Sequence, residues 1–210
     1  MRVIAIERLP RKRRYDVHLD GADVLPLSRE VLAAANLRVG QELDSARLDA
    51  LREAESRHAA MSTSLRLLAY RPRSEREIRD ELRTRGIPEA IADETLSRLK
   101  ELRLLDDRAF AESWTESRQR NSPRGRRLLL AELAQKGIER EVAHESVAAV
   151  DEEDAAVRAG RKRAQMLREA EFRDFRRRLG DFLARRGFGW EVCETVVKRL
   201  WAEVQDTDSR

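Results

Sequence analysis

The stretch Leu129-Leu130-Ala131-Glu132-Leu133-Ala134-Gln135-Lys136-Gly137-Ile138 decides the fold. Leu129 and Leu133 stand one helical turn apart, so they share a face. Gly137 supplies the left-handed residue that ends a helix, where a side chain would meet the backbone. Ile138 then packs back against that end. The same arrangement occurs as Ile78, Leu82, Gly86, Ile87 and again as Leu179, Leu183, Gly187, Phe188, with the glycines 51 and 50 residues apart. A basic residue precedes each glycine: Arg85, Lys136 and Arg186. Downstream, Ile91, Val142 and Val192 match, as do Leu96, Val147 and Val197, and then Leu99, Val150 and Leu200. Eight positions in register across three copies define an internal repeat.

A further helix precedes each pair, at about 59–71, 107–120 and 152–168. The unit is therefore three helices in roughly 50 residues. Ser74-x-x-Glu77 reads as a capping box and Asp106-Asp107 as a helix start. The predicted fold class is mainly α: three tandem three-helix repeats stacked as an elongated curved solenoid, behind a small N-terminal β element. Val3-Ile4-Ala5-Ile6, Tyr15-x-Val17-x-Leu19 and Val24-Leu25-Pro26-Leu27 read as short strands. Arg11 to Arg14 and Asp20-Gly21 read as turns. Ser28 caps a short helix ending at Asn36. The expected divisions are 1–45 (β element), 46–58 (connecting helix), 59–105, 106–151 and 152–204 (repeats), and 205–210 (a polar, disordered tail).

The chain has 210 residues, of which 39% are charged and 5% aromatic, with one cysteine. Such a mixture favours many helices with solvated faces over one thick core. A lone Cys193 excludes an internal disulfide and argues against a cysteine-based zinc site. No apolar run is long enough to span a bilayer, and the charged N-terminus does not suit a signal peptide, so a cytoplasmic protein without a membrane partner is expected. His18, His58 and His144 lack ligand spacing. Asp106-Asp107 and Glu152-Glu153-Asp154 suit helix starts better than acid–base chemistry. Cys193 reads as a packed thiol. Trp114, Trp190 and Trp201 read as core, with Trp190, just past a glycine turn, the one placed to touch a partner. The nine glycines form no phosphate-cradling loop. No catalytic machinery, metal site or cofactor is expected.

Several segments together resemble the RecX family. They are Tyr70-Arg71-Pro72-Arg73-Ser74-Glu75-x-Glu77-Ile78, Leu104-Leu105-Asp106-Asp107-x-Ala109-Phe110-Ala111, Leu133-x-x-Lys136-Gly137-Ile138 and Phe182-Leu183-x-Arg185-Arg186-Gly187-Phe188. Leu104 stands where many members have an aromatic or glycine-rich turn. The N-terminal segment, with Leu19-Asp20-Gly21 and Leu37-x-x-Gly40-Gln41, is similar to the leader of longer members. The resemblance implies a regulator of homologous recombination, DNA repair and the SOS response. Such a protein binds the RecA filament on DNA, lies along its deep groove, and restrains its ATPase, strand exchange and co-protease action. A monomer is expected.

The distribution of charge bears on the binding face. Each repeat resembles a helix-turn-helix module, but the helices that would read DNA open on acids: Glu89, Asp93 and Glu94; Glu139, Glu141 and Glu145; Glu191 and Glu194. Carboxylates suit a helix N-terminus and oppose insertion between phosphate rows. Arg79, Arg83 and Arg85 have acids one turn away. In contrast, residues 120–136 carry five bases and one acid, and 156–186 carry eleven bases and four acids. The candidates for a face toward single-stranded or filament-bound DNA, or toward an acidic RecA surface, are Arg120, Arg124, Arg126, Arg127 and Lys136 in the second repeat. Arg158, Arg161, Lys162, Arg163, Arg173, Arg176, Arg177, Arg178, Arg185 and Arg186 join them in the third. Two alternatives stay open: a stand-alone helix-turn-helix-like DNA-binding protein, and a helical-repeat scaffold for another partner.

Overall fold

A computed structural model describes residues 1–10 and 14–208. It contains one antiparallel sheet and ten helices among the described residues, in two compact units. The first unit is Met1–Arg73 with Glu77–Leu105; the second is Ser74–Arg76 with Asp106–Arg210.

The first unit opens with β1 (Val3–Arg8), β2 (Arg14–Leu19) and β3 (Val24–Ser28), in the order β1-β2-β3. Val17 lies opposite Leu25, and Tyr15 opposite Leu27. Pro26 is on an edge strand, where its missing N–H does no harm. The Arg11–Arg13 part of the expected basic turn lies outside the described residues; Arg14 reaches Glu55 at 3.1 Å. Ser28 accepts the N–H of Val31 and starts α1 (Arg29–Ala35), which ends on left-handed Asn36. The buried strand residues Val3, Val17, Leu19, Leu25 and Leu27 pack with Val31, Leu43, Leu48 and Leu51. The sheet is thus closed on one face by helix, as a three-stranded sheet of this size requires.

Asp44 caps α2 (Ser45–Tyr70), a single helix of 26 residues. This corrects the division into a connecting helix 46–58 and a separate repeat helix 59–71. Residues 45–71 contain neither glycine nor proline, so nothing interrupts the hydrogen-bond ladder before Pro72. Its N-terminal half packs on the sheet through Leu48 and Leu51, and its C-terminal half serves the first repeat through Ala60. The first repeat is completed by α3 (Glu75–Thr84) and α4 (Glu89–Glu101).

The second unit holds α5 (Asp107–Asn121), α6 (Arg126–Gln135) and α7 (Arg140–Ala148), then α8 (Glu152–Met166), α9 (Phe172–Arg185) and α10 (Trp190–Asp208). Helix α10 continues to Asp208, so Gln205–Asp208 are helical rather than the expected tail; Ser209 and Arg210 lie outside the described residues. Asp106 and Asp151 each accept two N–H groups at the starts of α5 and α8.

The glycine register holds throughout. Gly86, Gly137 and Gly187 have φ of 73°, 80° and 87°. In each copy the glycine N–H donates three residues back, and the next N–H donates to the leucine five back: Ile87 to Leu82, Ile138 to Leu133, Phe188 to Leu183. This is the Schellman pattern, which satisfies carbonyls left open at a helix end. The residues eight and four before each glycine are fully buried in all three repeats. No helix among the described residues is long and apolar enough to cross a membrane.

Candidate partner-binding face

Helix α6 begins with Arg126 and Arg127, the wrong charge for the positive end of a helix dipole. The structure resolves the conflict by sending both side chains elsewhere. Arg126 donates to the carbonyls of Ala148 and Val150 at 3.1 and 2.8 Å, at the C-terminal end of α7. Arg127 donates to the Ala184 carbonyl in the last turn of α9 at 2.9 Å. Meanwhile the Glu152 carboxylate accepts the Arg126 backbone N–H at 2.9 Å. Cations therefore sit on C-terminal carbonyls and an anion sits on the N-terminus, each in its favourable place.

The same economy takes up most of the basic residues expected to face a partner. Arg186 donates to Ser122 Oγ and the Pro123 carbonyl, and stacks on Phe182 with its guanidinium carbon 4.7 Å from the ring centre. Arg158 binds Asp154 and the Gln119 carbonyl. Arg124 pairs with Glu132, whose carboxylate also accepts from Trp114 Nε1 and Arg118 Nε, both at 2.9 Å. Burial, and then the neighbouring charges of Arg118 and Arg186, lower the pKa of Arg124 below its ordinary value. Lys136 lies over the Trp114 ring. On the surface, Arg120 pairs with Glu116, Arg161 with Glu203, Arg176 with Glu194 and Arg177 with Asp174.

Five of the fifteen candidates have no hydrogen-bond or ion-pair partner among the described residues: Lys162, Arg163, Arg173, Arg178 and Arg185. All five are exposed, and all belong to the third repeat. The expectation of unpaired basic charge in both the second and third repeats is corrected accordingly. The second-repeat candidates hold helices and loops together or pair on the surface, and the five unpartnered candidates lie on α8 and α9. Arg178 and Arg185 are seven residues apart and so share one edge of α9.

Beside this charge runs a groove of about 800 Å³, bordered by α9 and the start of α10. Phe188, Gly180 and Ala184 line its interior; Phe172 and Trp190 stand on its rim, 41% and 75% exposed. Arg127, Arg173, Arg176 and Arg177 also line it. The opening acids of the third helices have local work: Glu194 on α10 holds Arg176, and Glu89 on α4 holds Arg79. Trp114 stacks on Phe110, and Trp201 packs on Phe172 and Phe175. Trp190 alone of the three tryptophans is mainly in water.

The groove joins residues from α6, α9 and α10 that no sequence motif links, although one signal for it exists. Trp190 occupies the third position after the repeat glycine, where the other copies have Glu89 and Arg140. A tryptophan in a slot that is otherwise charged is a departure that the repeat itself exposes. Cys193 opens into the groove, yet it is 7% exposed, and its thiol donates to the Phe188 carbonyl. Its two repeat equivalents are the buried Ala92 and Ala143, so it occupies a small-residue packing slot. Burial, with the neighbouring Glu152 and Glu194 charges, pushes its pKa up, which disfavours a thiolate nucleophile. Among the described residues, no group of three His, Cys, Asp or Glu gathers as metal ligands.

The models of the first, second and third three-helix domains of RecX match residues 60–99, 106–146 and 151–197. The chain belongs to the RecX family. A regulatory protein RecX from Streptomyces lividans is 40% identical over 153 residues, covering 71% of this chain and 81% of that protein. One from Bacillus licheniformis is 28% identical over 202 residues, covering 95% of this chain and 77% of that protein. A crystal structure of regulatory protein RecX superposes with a TM-score of 0.59 at 28% identity, covering 93% of this chain and 98% of the other. The three RecX domain matches each contain one of the three repeat glycines, so each glycine-centred repeat corresponds to one three-helix domain.

Proposed function

We propose that this chain is a non-catalytic regulator that binds the RecA filament on DNA and restrains its ATPase, strand exchange and co-protease activity. Membership of the RecX family through all three helical domains carries this reading. The exposed, unpartnered Lys162, Arg163, Arg173, Arg178 and Arg185 support a contact with DNA phosphate or an acidic protein surface from the third repeat. The acidic opening turns of α4, α7 and α10 speak against those helices entering the major groove, and several of their carboxylates already hold arginines.

The decisive experiment measures RecA ATPase and strand exchange on single-stranded DNA with sub-stoichiometric amounts of this protein. Inhibition is expected well below one regulator per RecA. No effect at an equimolar ratio removes the reading. A quadruple variant, K162E/R163E/R178E/R185E, is expected to keep its circular dichroism spectrum and to need about tenfold more protein for half-inhibition. Unchanged inhibition by that folded variant would move the contact off the third repeat while leaving the regulatory role standing.

A further inference from the structure

The groove beside α9 has features that neither the repeat nor its packing requires. Trp190 holds a large apolar ring in water at a position where the other repeats place charge. Gly180 sits inside α9, where glycine is costly, yet nothing lies within 4 Å of the place its Cβ would take. Internal packing therefore does not demand the glycine. Its effect, with Ala184, is to keep side chains off the groove floor, so that the rings of Phe172 and Trp190 are reachable from outside above the buried Phe188.

Charge restricts what can enter. Four arginines line the groove against two carboxylates, Asp181 and Glu194. Arg173 has no partner among the described residues, and Arg177 has only the exposed Asp174 at 3.2 Å, an ion pair that water and a ligand can exchange. The lining is thus apolar in the middle and positive at the border. A continuous phosphate backbone suits it poorly, because it would run past Asp181, free of any partner among the described residues, whereas separate carboxylates can sit on Arg173 and Arg177 and clear of Asp181. The volume suits a few large anchoring side chains.

We propose that this groove is a docking site for a short amphipathic helix of a partner protein, with aromatic or aliphatic anchors and acidic flanks. The anchors seat between Phe172, Phe188 and Trp190, and the flanking carboxylates meet Arg173 and Arg177. Helix-in-groove recognition of this kind draws affinity from buried anchors and orientation from charge at the rim. The site goes beyond the regulatory reading above and does not depend on which protein supplies the helix.

The test pans a displayed library of random peptides of about twelve residues against the full chain, with counter-selection on Gly180→Leu. Recovered peptides are synthesised with a fluorophore and titrated by anisotropy. Recovered sequences should pair apolar anchors one turn apart with aspartate or glutamate. They should bind Trp190→Ala and Gly180→Leu about tenfold or more weakly, weaken also on Arg173→Glu, and keep their affinity for Gly180→Ala. Denaturation midpoints at or above wild type for the Gly180 variants establish that a lost interaction is not a lost fold. Recovery of no groove-dependent peptide overturns the proposal, as does recovery of basic ones. Displacement of the peptides by oligothymidylate of about fifteen nucleotides, with quenching that Trp190→Ala abolishes, would assign the groove to nucleic acid instead.

Discussion

Two glycines seven residues apart should respond to alanine with opposite signs. Gly187 has φ +87°, and a Cβ built on it would stand 2.6 Å from the backbone nitrogen of Leu128 in α6. Alanine there pays about 1–2 kcal/mol for the left-handed conformation. It pays a further ~1–3 kcal/mol for forcing atoms into a packed backbone contact. The adjoining Gly125 N–H to Arg186 carbonyl bond, 3.0 Å long, would be disturbed at the same junction. Gly180 instead lies in α9 with open space around the built Cβ, so Gly180→Ala should stabilise by about 1 kcal/mol through helix propensity and a less flexible unfolded chain. The two variants should therefore differ by roughly 3–6 kcal/mol. Trp114, Trp190 and Trp201 all lie in the second unit, as do both glycines. Urea denaturation followed by tryptophan fluorescence thus reports the right unit for both. A Gly187→Ala loss of only about 1 kcal/mol, the left-handed cost alone, would refute the close approach of α6 to the α9 cap. A destabilised Gly180→Ala would refute the open floor of the groove.

Further outcomes can be read in the same preparations. Glu132→Ala leaves Trp114, Arg118 and Arg124 without their shared carboxylate and should cost about 2–3 kcal/mol; a loss under half of that, by the same fluorescence assay, would mean that the cluster is dispensable. Asn36→Ala should lower the stability of the first unit by about 1 kcal/mol and Asn36→Gly should not, as measured by thermal circular dichroism. Cys193, buried and with its pKa pushed up, should react with iodoacetamide about tenfold or more slowly than a free thiol at pH 8, and at the free rate once urea unfolds the second unit. Because its folded pKa is raised, the unfolded chain loses this proton first. Its contribution to stability should thus be intact below about pH 8.5 and decline as pH rises above it; a Cys193→Ala variant should lack that decline.

The architecture was legible because each repeat is built from local signals. A leucine pair one turn apart and a glycine cap need no knowledge of distant contacts, and all three copies formed as read. The continuity of α2 is hidden in the sequence for a related reason. Apolar spacing in α2 changes where the helix passes from sheet to repeat, and periodicity reads that change of face as a break. Only the lack of glycine and proline between Ser45 and Arg71 reveals that the helix continues. The basic face was less legible still. Counting bases against acids along the chain treats arginine as a surface charge, whereas Arg126, Arg127 and Arg186 find carbonyls 22 to 63 residues away. No window of sequence contains both partners.

That difference changes which residues can carry recognition. An arginine on a helix C-terminus spends its donors on carbonyls that would otherwise be unsatisfied, so replacing it disturbs the junction between the second and third repeats before it disturbs any partner. Reversing Arg126 and Arg127 would therefore confound folding with binding, and a loss of function in such a variant says little about an interface. Lys162, Arg163, Arg178 and Arg185 make no such contact among the described residues, and their charge can be reversed at the cost of little but surface potential. Trp190 belongs with them: its ring is 75% exposed and contributes little to the core, so replacing it tests what the groove receives with little disturbance to what holds the helices together.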